Sequence, residues 1–186
     1  FSAYSRVVDW ALIAEAAEIM SLSQKDIIVD VQGDEVFVQP EYIEHVVDFL
    51  IKTNYECVIP HQHSDDYNNL NRVKMVTDGD RVIYLSRSDI PCHFGMPKAP
   101  LKKHLSIIGF RLSGLRKFAE NSSTQLEDIE RIELMRLIEL GIPVGTFFQD
   151  GVSLSVDTVE DYQLACRMMD RDQLFKKMSL SGGLGV

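Results

Sequence analysis

The run Ile27-Ile-Val-Asp-Val31 constrains this chain most. It is too short for a helix and too rich in β-branched residues for a surface strand, the pattern of a strand buried in a parallel sheet. It stops at Gln32-Gly33-Asp34-Glu35. Pro40 then sits where a helix can begin, and Ile43, Val46, Val47, Leu50 and Ile51 follow at helical spacing. Glu56-Cys-Val-Ile-Pro60 reads as the next strand. A strand–helix–strand unit of this kind takes a right-handed parallel crossover by default. It predicts an α/β fold in which the first strand is central.

The 186 residues suit one domain, here expected over residues 1–186, with Ser179 to Val186 as a loose tail. A helix is expected over residues 10–20. Arg72-Val-Lys-Met-Val76 and Arg81-Val-Ile-Tyr-Leu85 flank Asp78-Gly79, a hairpin signal. His104 to Phe110 and Val144 to Phe148 read as strands, and Leu126 to Leu140 as one continuous helix stopped by Gly141. Val152 to Val156 alternates like a strand, and a last helix is expected from Asp157 to about Met169. Together these give a parallel sheet with an antiparallel insertion.

Charge narrows the partners. Lys plus Arg is 19 against 28 Asp plus Glu, a net charge of −9, which argues against a general binder of nucleic acid or anionic membranes. A small anionic substrate is still compatible, because a few local Arg and Lys can hold one. No run approaches the roughly 18 apolar residues of a membrane span, and no signal-peptide pattern opens the chain. Cys57, Cys92 and Cys166 form no C-x-x-C pair, which favours a reducing cytosol over a disulfide framework or zinc site.

Ligands of open α/β sheets bind beyond the carboxyl ends of strands, where Gln32-Gly33-Asp34-Glu35 falls. Asp34 there is either a hard oxygen ligand for Mg²⁺ or a turn aspartate bonded to its own backbone. Asp157 precedes a helix with Glu160 three residues on, so on spacing alone helix capping is favoured over metal binding. Arg87 ends a strand and is able to grip a carboxylate or phosphate bidentately. His104 opens another strand and is either a hydrogen-bond partner for a substrate oxygen or, as lone histidines more often are, a structural donor. His61 and His63 lack a third ligand nearby in sequence and read as solvated loop histidines. Glu127, Glu130 and Glu133 read as a solvated acidic row, of which Glu133 alone is singled out below.

Several motifs occur in a telling order: Ile27 to Glu35 with Val38-Gln-Pro-Glu-Tyr-Ile43, Asn71-Arg-Val-Lys74, and Tyr84-Leu-Ser-Arg-Ser-Asp-Ile-Pro91. Lys103-His104, Leu126-Glu-Asp-Ile-Glu-Arg-Ile-Glu-Leu-Met-Arg136 and Val156-Asp-Thr-Val-Glu-Asp161 follow. In this series the chain resembles the 3-deoxy-manno-octulosonate (Kdo) cytidylyltransferases, over roughly residues 13 to 168. The resemblance implies a Rossmann-like, mostly parallel sheet with an antiparallel hairpin insertion, of the nucleotide-diphospho-sugar transferase type. It implies transfer of CMP from CTP to a Kdo-like 2-keto-3-deoxy sugar acid with release of pyrophosphate, assisted by Mg²⁺, for surface lipopolysaccharide. By the same resemblance Asp34 and Asp157 are the catalytic, metal-binding carboxylates. Arg87, His104 and Glu133 contact the sugar acid, and Gln32 lies on the nucleotide side. A cytoplasmic homodimer paired through the middle region is implied as well.

The chain also departs from the family. The family opens with a strand and a phosphate loop ending in Pro-Gly-Lys, and neither is present after Phe1. Val8-Asp-Trp-Ala-Leu12 stands where the family has Ser-Gly-Thr-Asp/Glu-Arg. Either that part belongs to sequence upstream, or the nucleotide is held differently. Leu134 and Ile108 stand where the family has Gln and Tyr, an expected loss of polar contacts near the sugar. Two alternatives stay open: a non-catalytic sugar-nucleotide-binding relative, and a synthetase for another acid of sialic type.

Overall fold

The computed structural model describes residues 10–180; of the expected loose tail, Ser179 and Leu180 instead belong to a helix, and residues 181–186 lie outside the described part. The motif departure at residues 8–9 also lies outside it. The described residues form two compact units, one of residues 10–31 and 39–150, the other of residues 32–38 and 151–180.

The first unit carries an eight-stranded sheet. In chain order it has α1 (Trp10–Ile19), β1 (Ile27–Val31), α2 (Pro40–Lys52), β2 (Cys57–Val58), β3 (His61–Ser64), β4 (Lys74–Asp78) and β5 (Arg81–Ser86). It continues with β6 (Leu101–His104), β7 (Ile107–Arg111), α3 (Leu112–Ala119), α4 (Gln125–Glu130), α5 (Met135–Glu139) and β8 (Val144–Gly145). The strands lie in the order β1-β7-β2-β8-β5-β4-β6-β3.

The α/β class holds, but the pairing differs from a mostly parallel sheet. Among the described strands only β2 and β8 pair in parallel, the other six strand pairs being antiparallel, with one isolated parallel bridge between His61 and Phe148. The reason is β7, which enters in reverse between β1 and β2 and pairs with both. The crossover through α2 therefore joins strands of one direction that do not touch. For the same reason β1 is at the end of the sheet order rather than central, and its residues are half-buried.

Local sequence accounts for the elements that position the candidate residues. Pro40 starts α2, and Tyr42, Val46 and Leu50 form its buried stripe, while Ile51 stays exposed. That stripe lies close on β7 because position 109 is glycine: a Cβ there would meet Val46 Cγ1 at 2.5 Å. The β4–β5 hairpin turns through Gly79 at φ +59°, as Asp78-Gly79 predicts. The expected strand 104–110 is two strands, since Leu105 and Ser106 pass from β6, which pairs with β3 and β4, to β7.

The expected helix 126–140 is likewise broken. Arg131 adopts the left-handed conformation at φ 56°, ends α4, and lets α5 start only at Met135. Gly141, at φ +71°, closes α5 as expected, with Ile142 N donating to Leu137 O at 2.9 Å. Trp10 anchors the core through edge contacts with Phe110 and Phe118, at ring separations of 4.9 and 4.8 Å. Among the described residues no helix is long and apolar enough to cross a membrane.

The second unit holds α6 (Val159–Met169) and α7 (Gln173–Leu180). Phe37, Leu154 and Ala165 are its buried core, with Val156, Met168 and Met169 packed against them. The last helix was not foreseen, although Asp172, accepting from Phe175 N at 2.7 Å, is a legible cap. Helix α3 was not foreseen either, despite Leu112, Leu115 and Phe118 at helical spacing.

Candidate functional site

Two of the expected carboxylates belong to the second unit, and backbone pairing brings their segments side by side. Asp34 O accepts from Val156 N at 3.0 Å, and Glu35 bridges antiparallel to Ser155. Asp157 is the next residue along. Asp34 Oδ1 is buried and has no hydrogen-bond partner. A buried carboxylate oxygen left in that state costs free energy unless a proton donor or cation meets it. Gln32 joins the group through its carbonyl, which accepts from Glu35 N at 3.1 Å in the turn that reverses the chain.

Glu35 was missed in the sequence. Its buried carboxylate accepts from Ser153 Oγ at 3.0 Å and Ser155 Oγ at 2.5 Å, which fastens the segment leading into Asp157 beside Asp34. The alternating Ser153 and Ser155 opposite an acidic residue were the available signal. The capping expected of Asp157 and Glu160 falls one residue later. Thr158 is the N-cap, Asp161 N donates to its Oγ1 at 3.1 Å, and Asp161 Oδ2 accepts from Thr158 N at 3.0 Å. Asp157, exposed and just outside the helix, is thereby relieved of the capping role.

The residues expected to meet the sugar acid belong to the first unit. Arg87 follows β5, and its guanidinium donates to three backbone carbonyls: Nε to Glu130 O at 3.0 Å, Nη1 to Leu70 O at 3.0 Å, and Nη2 to Arg131 O at 3.1 Å. The left-handed Arg131 presents two of those carbonyls, and Glu133 follows in the same connection between α4 and α5. Lys74, fully buried on β4, donates to Asn69 O at 2.7 Å and to Arg87 O at 2.5 Å, and lies 3.4 Å from Asp89 Oδ1. His104 ends β6. Its backbone N donates to Val73 O at 3.1 Å, and its ring Nδ1 lies 3.2 Å from Leu105 O.

The acidic row of Glu127, Glu130 and Glu133 is not a solvated face. Glu127 is buried and accepts from Arg136 Nε at 2.7 Å. Glu130 accepts from Tyr84 Oη at 3.2 Å, Ser86 Oγ at 2.9 Å and Arg87 N at 3.1 Å. Burial and this carboxylate together push the Tyr84 phenol up. Leu134 and Ile108, expected near the sugar, are both buried in the hydrophobic core.

His61 also differs from expectation. It is buried on β3, with Nδ1 at 2.8 Å from Thr146 Oγ1, and burial, then Lys102 and His63, push its pKa down from 6.5 to about 4. His63 is exposed beside Phe148. Among the described residues no group of three or more His, Cys, Asp or Glu is placed to hold a metal ion. A pair of carboxylates is compatible with that, because Mg²⁺ commonly takes one or two, with phosphates and water completing its shell. A surface groove of about 480 Å³ lined by Asn54, Glu56, Lys117 and Asn121 includes none of the candidate residues. Its one cation, Lys117, is already paired with Glu56 at 3.3 Å.

The family model described as cytidylyltransferase matches residues 9–144. The chain belongs to the cytidylyltransferase family. It is 35% identical over 150 residues to the 3-deoxy-manno-octulosonate cytidylyltransferase of Rickettsia bellii (strain OSU 85-389), covering 79% of this chain and 60% of that protein. It is 34% identical over 168 residues to the enzyme of the same name from Syntrophobacter fumaroxidans, covering 86% of this chain and 67% of the relative. The resemblance expected from the ordered motifs therefore holds. Among solved structures, CMP:2-keto-3-deoxy-manno-octonic acid synthetase complexed with CTP matches with a TM-score of 0.79 at 22% identity. That match covers 90% of this chain and 70% of the solved one, and it supports the nucleotidyltransferase-type fold. The chain spans about 60% of the length of the first of these relatives.

Proposed function

We propose that this family member serves as a cytidylyltransferase that couples CTP to a Kdo-like 2-keto-3-deoxy sugar acid, giving the CMP-sugar and pyrophosphate. The observation that carries the reading is the buried, unpartnered Asp34 Oδ1 in the turn paired with the segment that ends in Asp157. In this reading Asp34 and Asp157 hold Mg²⁺. When bound, the ion supplies positive charge that neutralises phosphate oxygens and eases departure of pyrophosphate. Asp34 and Asp157 would supply the hard oxygen donors from two segments that pair through their backbones, which Glu35 fastens. Gln32 serves the nucleotide.

Arg87 binds the carboxylate of the sugar acid, with His104 and Glu133 serving its hydroxyls. A guanidinium has five N–H donors. Arg87 commits three of them to carbonyls, which leaves two for a carboxylate in a fixed orientation. The reading extends to a cytoplasmic homodimer supplying lipopolysaccharide precursors, in keeping with the acidic, disulfide-free sequence.

Pyrophosphate release from CTP, Mg²⁺ and a panel of 2-keto-3-deoxy sugar acids tests the reaction in the full-length protein. Release with Kdo or a near relative supports it, and silence across the panel removes it. Asp34→Asn and Asp157→Asn are each expected to abolish Mg²⁺-dependent CTP binding in calorimetry while the circular dichroism spectrum stays unchanged. Normal binding in either variant would refute the metal assignment.

A further inference from the structure

Glu130 lies within the site without an assigned role, and its bonding pattern is unusual for an acid beside an arginine. Its carboxylate takes no part in an ion pair with Arg87. It accepts instead from three uncharged donors: Tyr84 Oη, Ser86 Oγ and the backbone N of Arg87. Only its backbone carbonyl receives the Arg87 side chain, through Nε at 3.0 Å. The other two guanidinium contacts are carbonyls as well, Leu70 O and Arg131 O.

This division has an electrostatic consequence. Carbonyl dipoles fix the direction of a guanidinium without cancelling its charge, whereas a bidentate carboxylate would do both. Arg87 is thus oriented yet keeps its full positive charge and two N–H donors. Its main chain is locked from both sides, by Glu130 at the N–H and by Lys74 at the carbonyl, at 3.1 and 2.5 Å. Arg131 completes the device. A non-glycine residue at φ 56° is strained, and strain of this sort persists where surrounding contacts enforce it. Here the reversed turn points the carbonyls of residues 130 and 131 at one side chain.

We infer that Glu130 is the positioning residue for Arg87: it orders the end of β5 and the α4–α5 turn so that Arg87 presents an unneutralised, pre-aimed guanidinium to the carboxylate of the sugar acid. The inference rests on the proposed sugar-acid reading and adds to it the residue that sets the geometry. An anion at that place would be recognised through two parallel N–H···O bonds, so affinity depends on orientation as much as on charge.

Glu130→Gln tests this with little change of volume, because it removes the carboxylate charge and leaves one accepting oxygen where Glu130 uses two, Oε1 toward Tyr84 and Ser86 and Oε2 toward Arg87 N. Calorimetric titration with Kdo, and separately with CTP and Mg²⁺, is run on the wild type, Glu130→Gln, Arg87→Ala and the double variant. The expected result is at least a tenfold loss of Kdo affinity in Glu130→Gln with CTP affinity unchanged within twofold. In the Arg87→Ala background the same substitution should cost nothing further. An equal loss in both backgrounds, or unchanged Kdo affinity in Glu130→Gln, overturns the inference alone. Failure of the wild type to bind Kdo or any sugar acid of the panel overturns the underlying reading and the inference with it. If Glu130→Gln unfolds, Ser86→Ala, which removes one donor and leaves the acid, should weaken Kdo binding in the same Arg87-dependent way. Its failure to do so counts against the inference.

Discussion

His61 gives a stability prediction whose sign follows from its surroundings. Thr146 Oγ1 donates to Met75 Sδ at 3.5 Å, which leaves that oxygen to accept from His61 Nδ1–H at 2.8 Å. Burial, with Lys102 and His63 opposing any charge on the ring, favours its neutral form. Unfolding restores its ordinary proton affinity, so acid favours the unfolded chain. The stability due to a neutral His61 is fully present above pH 6.5 and is lost as the pH falls toward about 4. At full weight the difference between 6.5 and about 4 corresponds to about 3 kcal/mol. Lying on a strand at the end of the sheet order, the group is partly screened by water, which reduces this to about 1–2 kcal/mol. Urea unfolding of wild type and His61→Gln at pH 7.0 and pH 4.5 measures it, these two pH values being roughly the ends of that window. The variant lacks the titrating group, so its deficit relative to wild type should shrink by about 1–2 kcal/mol at the lower pH. A deficit of the same size at both pH values would refute the assignment of a buried neutral ring.

Two further perturbations probe the frame of the first unit. Gly109→Ala places a methyl 2.5 Å from Val46 Cγ1 and 3.0 Å from Leu50 Cδ1 and Val58 Cγ1, and should destabilise by about 1–3 kcal/mol in denaturant titrations. A stability equal to wild type would mean that α2 shifts freely over β7. Asp30 is half-buried with Oδ2 unpartnered, and burial raises its carboxyl above the ordinary value while the Trp10 indole opposes the rise. A raised group stabilises below its unfolded value and loses that contribution as pH climbs through its folded one, so the ionised form is a burden at neutral pH. Asp30→Asn should accordingly raise the urea midpoint at pH 7, with the gain fading on acidification, and a lower midpoint at pH 7 would contradict this.

Much of the fold could be read from local patterns, and the failures share a cause. The β1 run, the α2 stripe and the Asp78-Gly79 turn depend on residues close in sequence, and each was legible. The direction of β7 was not, because the same residues Ile107 to Arg111 would serve either sense of pairing. The break at Arg131 was hidden for a similar reason. The apolar spacing of Leu126 to Ile138 is helical throughout, and the left-handed turn is enforced by carbonyl contacts to Arg87, more than forty residues earlier. Among the candidate residues, the ordered motifs pointed to Asp34 and Asp157, which belong to the second unit, and to Arg87, His104 and Glu133, which belong to the first. Glu35 and Glu130 escaped because a partnered buried acid and a solvated one look alike in sequence until the partners, here Ser153, Ser155, Tyr84 and Ser86, are placed.

The discontinuity of the second unit bears on how the protein should be cut for expression. The family match stops at residue 144, a tempting place to end a recombinant fragment. A fragment ending there would strip the two serines from Glu35 and take Leu154 and Ala165 off Phe37. An aspartate loop near the start of the chain would be left undocked by a deletion more than a hundred residues away. Truncation libraries should therefore keep everything through Met169, the last residue packed on that small core.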